Sequence, residues 1–543
     1  MSQPPGTIDV TPNVREATYD LLRQLGLTTI FGNPGSTEEP FLQDFPADFN
    51  YVLALQEASV LAMADGYAQA TRRPALVSLH TFAGLGNAIG NLICAYANKT
   101  PLIVTAGQQT REMLLLEPYL TSVRAVETPR PWVKWSYEPA RAADVPAAFM
   151  RAYAAAVQPP AGPVFLSLPM DDFEKPALGS AAVRTLSQRV GPDPVRLQEF
   201  ARQIDEAKSP VLVLGAALDR ADGWDAAQRL AEKLNLPVWA PPETERVAFS
   251  EEHRLFQGYL PFAIAPLSKK LEAHDLVIVV GSPVFRYYPY VPGDYLPAGA
   301  RLLHITDDPA EAARAPVGDS LLADTRLALE SLVELVQPGR YPAVPRRNLQ
   351  RELPDPPGAI LTPAEVFSTL EASRPADAVL LLESTSNAEE FHKWVPITRP
   401  LSFSLFASGG LGWALPAAVG FALAERSTGR HRPVLAILGD GATNYSIQAL
   451  YTAAQLELPV VFLVLCNQEY GILKAFAKQQ QARDVPGMDI PGLDFVALAT
   501  GYGCAAFRVA TSDALAQALK GALRRPGPTV LEIPITTAVA PLL

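Results

Sequence analysis

Asp440 and Asn467 are the two residues whose types and spacing most clearly suggest chemistry. The stretch around them reads VLAILGDGATNYSIQALYTAAQLELPVVFLVLCNQE, from Val434 to Glu469. An apolar run, Val434–Leu438, stops at Gly439-Asp440-Gly441. A helical pattern follows with Ile447, Leu450, Tyr451 and Ala454 on one face, and a second apolar run, Pro459–Leu465, ends just before Asn467. The pattern is strand, glycine turn, helix, strand. Strands joined in this way run parallel, so their C-terminal ends lie side by side and bring Asp440 and Asn467 to one edge despite the 26 residues between them. Two hard oxygen donors beside a glycine-opened helix N-terminus suit a magnesium ion, with calcium as a substitute, carrying a diphosphate.

Other side chains of catalytic type stand at predicted strand ends. After the strand Thr28–Phe31 comes Gly32-Asn33-Pro34-Gly35-Ser36. Because Ser36-x-x-Glu39 has the form of a capping box, the Ser36 hydroxyl is either a helix cap or a pocket donor. Glu57 follows the strand Tyr51–Leu55 at the head of the helix Ala58–Ala70, where an acid complements the helix dipole or does chemistry. His80 ends the strand Ala75–Leu79, the position at which α/β folds bind ligands, although a single histidine is more often structural. Glu383-Ser384-Thr385-Ser386-Asn387 follows the strand Ala378–Leu382; its hydroxyls either cap the next helix or bind phosphate oxygens. Gly409-Gly410-Leu411-Gly412 is a further glycine turn, leading into a helix of small residues.

These groups need several cores to hold them, since 543 residues exceed what one core supports. A net charge of −11 argues against nucleic acid or an anionic membrane as partner. No signal region opens the chain and no apolar run is long enough to span a bilayer, so the cytoplasm is the expected compartment. The widely separated Cys94, Cys466 and Cys504 fit buried free thiols there. The stretch from Ala75, ALVSLHTFAGLGNAIGNLICAYANKTPLIVTAGQQ, has the same layout as the one from Val434, and a helix rich in Ala and Gly precedes each. Two similarly folded domains are therefore expected, one near each end, the first without the metal-binding acid. Between them, from Pro210, strands alternate with helices as in a doubly wound parallel sheet. No G-x-G-x-x-G follows its first strand, so FAD is not expected there. Polar or Pro- and Arg-rich linkers, Asp171–Pro194 and Gly339–Gly358, flank it.

The motifs FGNPGS, DGYAQA, PLIVTAGQQTR, VKWSYEPA, PVFRY, EAARAP, NYSI and VPG-x-D-x-PG-x-DF, with GDGATNYS and Asn467, occur in an order that resembles the thiamine-diphosphate-dependent 2-oxo-acid decarboxylases, and within them the benzoylformate decarboxylase branch. The resemblance implies an α/β chain of three doubly wound parallel-sheet domains: pyrimidine-binding at 1–185, central at 195–340 and diphosphate-binding at 358–543. It implies nonoxidative decarboxylation of an aromatic or branched 2-oxo acid to aldehyde and CO2, with carboligation as a side activity. The alternative is a lyase or synthase that cleaves acyloins or forms acetohydroxyacids. Thiamine diphosphate and Mg2+ are the implied cofactors, and the implied assembly is at least a homodimer, commonly a homotetramer.

The same resemblance assigns roles. Glu57 faces N1′ of the aminopyrimidine, and Leu411 lies beneath the thiazolium. Asp440, Asn467 and the Glu469 carbonyl hold the metal. Thr385, Ser386, Gly409, Gly439, Gly441, Ala442 and Tyr470 complete the cofactor site. Gly35, Ser36 and His80 serve the substrate, with Tyr288, Leu405, Ile472, Leu473 and Phe476 lining its pocket. The chain departs from the pattern at Tyr288, where the family has a second catalytic histidine; a phenol with a pKa of about 10 is a poorer proton shuttle at neutral pH. It also carries Ile472 in place of a small alanine, Leu405 in place of a phenylalanine, and Cys466 before the metal-binding asparagine.

Overall fold

The computed structural model describes residues 12–179, 181–339, 341, 344–354, 358–537 and 542. Residues 1–11 and parts of the second linker lie outside them. The chain divides into two compact units, residues 1–187 with 419–424, and residues 188–418 with 425–543. No helix among the described residues is long and apolar enough to cross a membrane.

The first unit is built on a six-stranded parallel sheet. Its central strands Ala75–Leu79 and Leu102–Gln108 are buried at every position, as parallel strands covered on both faces are, polar Ser78, Thr105 and Gln108 included. Across the sheet the strands lie in the order Asn50–Leu53, Thr29–Gly32, Ala75–Leu79, Leu102–Gln108, Val164–Pro169, Ser136–Tyr137, which is 2-1-3-4-6-5 by chain rank. The last sheet of the second unit repeats that order with Phe403–Leu405, Val379–Glu383, Val434–Gly439, Val460–Cys466, Thr529–Pro534 and Ala505–Arg508. The likeness expected between the two ends of the chain is thus a likeness of topology. In both sheets the crossovers diverge between the first and third strands, and ligands of open α/β sheets bind in the crevice at such a point. The crevice of the first sheet carries Asn33 and His80. That of the last carries Ser384 and Asp440.

The middle sheet is also parallel, in the order Asp319–Leu322, Arg301–Thr306, Leu276–Val280, Pro210–Leu214, Val238–Ala240, Phe256–Tyr259. At its switch point Glu245 accepts from Arg220 and from Arg286 at 3.0 Å each, and the space left is a cavity of about 10 Å3. Burial pushes Glu245 up, but the Arg286 and Arg220 guanidiniums overrule it and hold the carboxyl down at about 2.

One element differs from the sequence expectation. The single helix predicted after Gly441 is two short ones, Asp440–Asn444 and Ala449–Gln455. The Thr443 hydroxyl donates to the Gly439 carbonyl at 2.8 Å and the Asn444 amide to the Asp440 carbonyl at 2.9 Å. Short polar side chains that bond their own backbone weaken a continuing helix.

Candidate active site

In the first unit, Glu57 opens the helix Glu57–Thr71, which Gln56 caps by accepting from the Ala58 N–H at 2.7 Å. The Glu57 side chain is buried. Each of its oxygens receives one amide, Asn33 Nδ2 at 3.2 Å and Asn87 Nδ2 at 3.0 Å. Every carboxylate oxygen has two acceptor sites, so one remains on each. Gly84 packs against this side chain: a Cβ there would stand 3.3 Å from Glu57 Cγ.

His80 is the N-cap of the helix Thr81–Ala97. Its Nδ1 lies 3.0 Å from Glu38 Oε2 and 3.2 Å from Thr37 Oγ1. Glu38 is almost wholly buried and accepts the Thr37 hydroxyl at 2.6 Å, the Gly107 N–H at 2.9 Å and the Gly35 N–H at 3.1 Å. Burial raises the Glu38 carboxyl, against the pull of its donors and of His80. A carboxylate facing Nδ1 fixes the proton there and leaves Nε2 as the nitrogen that exchanges. The nest requires two glycines. A Cβ on Gly35 would fall 2.1 Å from His80 Nδ1, and one on Gly107 would fall 2.1 Å from Glu38 Oε1.

Ser36 is exposed on this turn. The predicted capping box does not form: the helix Glu39–Leu42 begins after Glu38 with no side-chain cap, because Glu38 turns instead to Gly35 and His80.

In the second unit, Asp440 is the first residue of the helix Asp440–Asn444 and is buried. Its Oδ1 accepts the Gly441 N–H at 2.8 Å and its Oδ2 the Gln468 N–H at 2.7 Å. Desolvation raises its carboxyl against these backbone donors. Gln468 holds a left-handed φ of 58°, a bend that returns the chain from Asn467 toward Asp440. Asn467 Oδ1 accepts the Glu469 N–H at 3.2 Å. Among the described residues no hydrogen bond reaches the Glu469 carbonyl, and the Glu469 side chain pairs with Lys474 through Oε2.

No group of three His, Cys, Asp or Glu side chains that could hold a metal occurs among the described residues. One carboxylate, one amide and one carbonyl form an incomplete oxygen set. That set fits Mg2+ whose remaining ligands come from a diphosphate and water. Ser386 belongs beside it, since a Cβ on Gly471 would lie 3.2 Å from Asn467 Nδ2 and 3.3 Å from Ser386 Oγ. Thr385 is on the same 3-10 turn, Thr385–Asn387. Gly441 lies against Tyr470, with a Cβ there 2.5 Å from the ring, while Gly439 caps the helix and Ala442 is buried in it. Gly409 has φ 76° in an exposed turn ahead of half-buried Leu411.

Of the predicted pocket residues, Tyr288 and Phe476 meet, their ring centroids 4.8 Å apart. Tyr288 is 62% exposed and Leu473 47%. Ile472 is half-buried on the helix Gly471–Gln480, and Leu405 packs against the core of the last domain.

Sequence reasoning missed Glu38, Thr37, Asn33, Asn87 and Glu383. Glu383 is buried and accepts the N–H groups of Gly412 at 2.5 Å, Trp413 at 3.0 Å and Ala414 at 2.5 Å, holding the start of the helix Ala414–Ser427. Burial pushes its carboxyl up to about 7 against those three donors.

One crevice holds a buried glutamate and a histidine paired at Nδ1, the other a buried aspartate beside an asparagine, and the chain matches models of one family. It fits thiamine pyrophosphate enzyme models in succession: the N-terminal TPP binding domain over residues 12–124, the central domain over 197–332 and the C-terminal TPP binding domain over 385–533. The chain belongs to the thiamine pyrophosphate enzymes. A benzoylformate decarboxylase of Pseudomonas aeruginosa is 47% identical over 532 residues, which cover 96% of this chain and 99% of that one. The crystal structure of benzoylformate decarboxylase from Polynucleobacter necessarius superposes with a TM-score of 0.96 at 50% identity, over 98% of this chain and 100% of that one. The thiamine diphosphate-dependent 4-hydroxybenzoylformate decarboxylase of Rhodococcus jostii RHA1 does so with a TM-score of 0.93 at 44% identity, over 97% of this chain and 100% of that one.

Proposed function

We propose that this protein is a thiamine-diphosphate- and Mg2+-dependent decarboxylase of a 2-oxo acid of the benzoylformate kind, aromatic or branched, releasing the aldehyde and CO2 and ligating aldehydes as a side reaction. The observation that carries this reading is His80, pinned at Nδ1 by Glu38 with Nε2 left to exchange, at the same sheet edge as buried Glu57, in a chain so like the benzoylformate decarboxylases. Bound thiamine diphosphate supplies a carbon nucleophile and a sink for the electrons released with CO2.

The protein supplies position and proton traffic. Asp440, the Asn467 amide and the Glu469 carbonyl hold Mg2+. Thr385, Ser386, Gly409, Leu411, Gly439, Gly441, Ala442 and Tyr470 would hold the cofactor and fix its shape. Glu57 exchanges a proton at N1′, its two asparagine donors keeping the carboxylate in place. The Ser36 hydroxyl donates to the substrate carboxylate in the turn that Gly35 allows. His80 Nε2 passes a proton to and from the oxygen of the substrate's keto group, and Glu38 stabilises the imidazolium formed in between. Tyr288 and Phe476 offer an aromatic wall, with Leu405, Ile472 and Leu473 beside it. As the resemblance implies, Glu57 and Asp440 would come from two subunits of a homodimer or homotetramer. Leu115, Leu116 and Tyr119, at 92%, 74% and 89% exposure, supply apolar surface for such a contact. The free cysteines fit a cytoplasmic protein.

The test is to incubate the purified protein with Mg2+, thiamine diphosphate and a panel of 2-oxo acids and to identify products by mass. Benzaldehyde from benzoylformate is expected; no aldehyde from any member would sink the proposal. Tyr288 in place of a histidine favours a second reading, lyase or synthase chemistry. Cleavage of a hydroxyketone much faster than any decarboxylation would select it.

A further inference from the structure

A cavity of about 230 Å3 in the second unit is lined from three directions. One wall is the segment from Glu251 to Phe256, which enters the middle sheet. Another is the linker at 346–351. The third is His392, on the helix Ala388–Trp394, with Pro396 just beyond it.

Most polar groups in the walls are already committed. Glu251 is buried; its Oε1 accepts the Tyr259 hydroxyl at 2.6 Å and lies 3.0 Å from His392 Nδ1, and its Oε2 accepts the Ile397 N–H at 2.6 Å. His253 faces Glu232 at 3.0 Å. Arg351 donates from Nε to the Lys393 carbonyl at 2.8 Å and stacks over Trp394.

Arg347 is different. Its guanidinium lies 5.7 Å over the Phe256 ring and against Gly258, half-buried, yet among the described residues it makes no hydrogen bond or ion pair. A cation over an aromatic ring spends none of its N–H donors on a hydrogen-bond acceptor. Withdrawing such a group from water without an acceptor is unfavourable, and burial lowers its pKa accordingly. Arg346, also without a partner among the described residues, and Arg351 add positive charge to the same walls. Exposed Glu252 is the remaining carboxylate, in a chain whose net charge is −11.

We propose that this cavity binds a small oxyanion, with Arg347 as its principal donor and Arg346 and Arg351 as supporting charge. Guanidinium forks match phosphate and carboxylate oxygens in pairs, which is the chemistry that three arginines around one cavity can offer. Phe256, Leu349 and Pro396 leave room for an apolar body beside the anionic group.

The test uses the holoenzyme saturated with thiamine diphosphate and Mg2+, so that the cofactor site does not compete. Inorganic phosphate and malonate are titrated separately by calorimetry into the wild type, Arg347→Met and Arg347→Lys. We expect one saturable site per chain for at least one probe, weakened about tenfold or more by Arg347→Met and less by Arg347→Lys, with thermal unfolding unchanged in both variants. Phosphate binding alone marks a phosphate site, and malonate binding alone a dicarboxylate site. No saturable binding of either probe, or binding undiminished in Arg347→Met, overturns the proposal.

Discussion

The first and last sheets share one strand order, yet their switch-point crevices carry opposite equipment. Registering Ala75 on Val434 places His80 against Gly439, Thr81 against Asp440, Gln109 against Asn467 and Asn33 against Glu383. In the last sheet each carboxylate oxygen of Asp440 accepts one backbone N–H and the Asn467 amide oxygen accepts another, which leaves each oxygen a second acceptor site. In the first, buried Thr81 has no partner for its hydroxyl among the described residues, and Gln109 spends its amide on the Tyr119 carbonyl at 3.0 Å. The first strand ends are also reversed in sense. Asn33 donates to the side chain at the head of the helix Glu57–Thr71, whereas Glu383 accepts from the backbone at the head of the helix Ala414–Ser427. Topology fixes where a ligand can lie; on the proposed function, a few side chains at the strand ends decide whether the crevice moves protons or holds a metal diphosphate.

If that division of labour is right, variants on the two sides fail in different ways. The largest effect is expected for Glu57→Gln, a loss of about 10³-fold in kcat with the cofactor still bound, the scale of lost general acid–base catalysis. Undiminished turnover would break the comparison at its strongest point. Asp440→Asn should fail earlier, with the dissociation constant of thiamine diphosphate in Mg2+ raised about 10²-fold, since a charged oxygen ligand contributes roughly 2–3 kcal/mol. Calorimetry or quenching of protein fluorescence reads it, and unchanged affinity would remove the metal from Asp440.

Glu38→Gln should lower kcat about 10–100-fold without changing cofactor affinity, the range for groups that orient a catalytic ligand. Its pH profile is the sharper test. Burial raises the Glu38 carboxyl, and once protonated it no longer offers His80 the negative charge that favours an imidazolium. An acidic limb in kcat above the ordinary carboxylate range is expected in the wild type and should vanish in the variant; a limb that persists assigns it elsewhere. The smallest effect is on stability. Glu383 titrates near 7 in the folded chain and near 4.5 when unfolded, so between these values the native state holds more protons. Its contribution is full below about 4.5 and is lost as pH rises through about 7. Melting temperatures of the wild type should therefore fall relative to Glu383→Gln across that window, and parallel curves would refute the assignment.

Much of this was legible in the sequence, because continuous apolar runs and glycine turns mark parallel strands and the points where they end. Asp440 and Asn467 could be brought together from connectivity alone. Glu38 could not be found. It reaches Gly107, which is 69 residues away, and nothing local announces that contact, while the neighbouring Ser36 and Glu39 imitate a capping box. Asn33 and Asn87 were hidden likewise, since an amide in a turn or on a helix reads as ordinary polar surface until its partner is known. The edge strands Ser136–Tyr137 and Ala505–Arg508 are too short or too exposed to show an apolar period. The broken helix at Asp440–Asn444 depended on side-chain competition for backbone carbonyls, which hydrophobic spacing does not record.

The close packing of Gly35 on the His80 ring bears on stereochemistry. With the turn against one side of the imidazole and Glu38 fixing Nδ1, the ring cannot exchange its two nitrogens without moving the turn. In the proposed role its proton would therefore be delivered along one direction only. A new stereocentre formed beside it, as in the joining of two aldehydes, should come out predominantly of one hand, and enlarging Gly35 to alanine should erode that handedness.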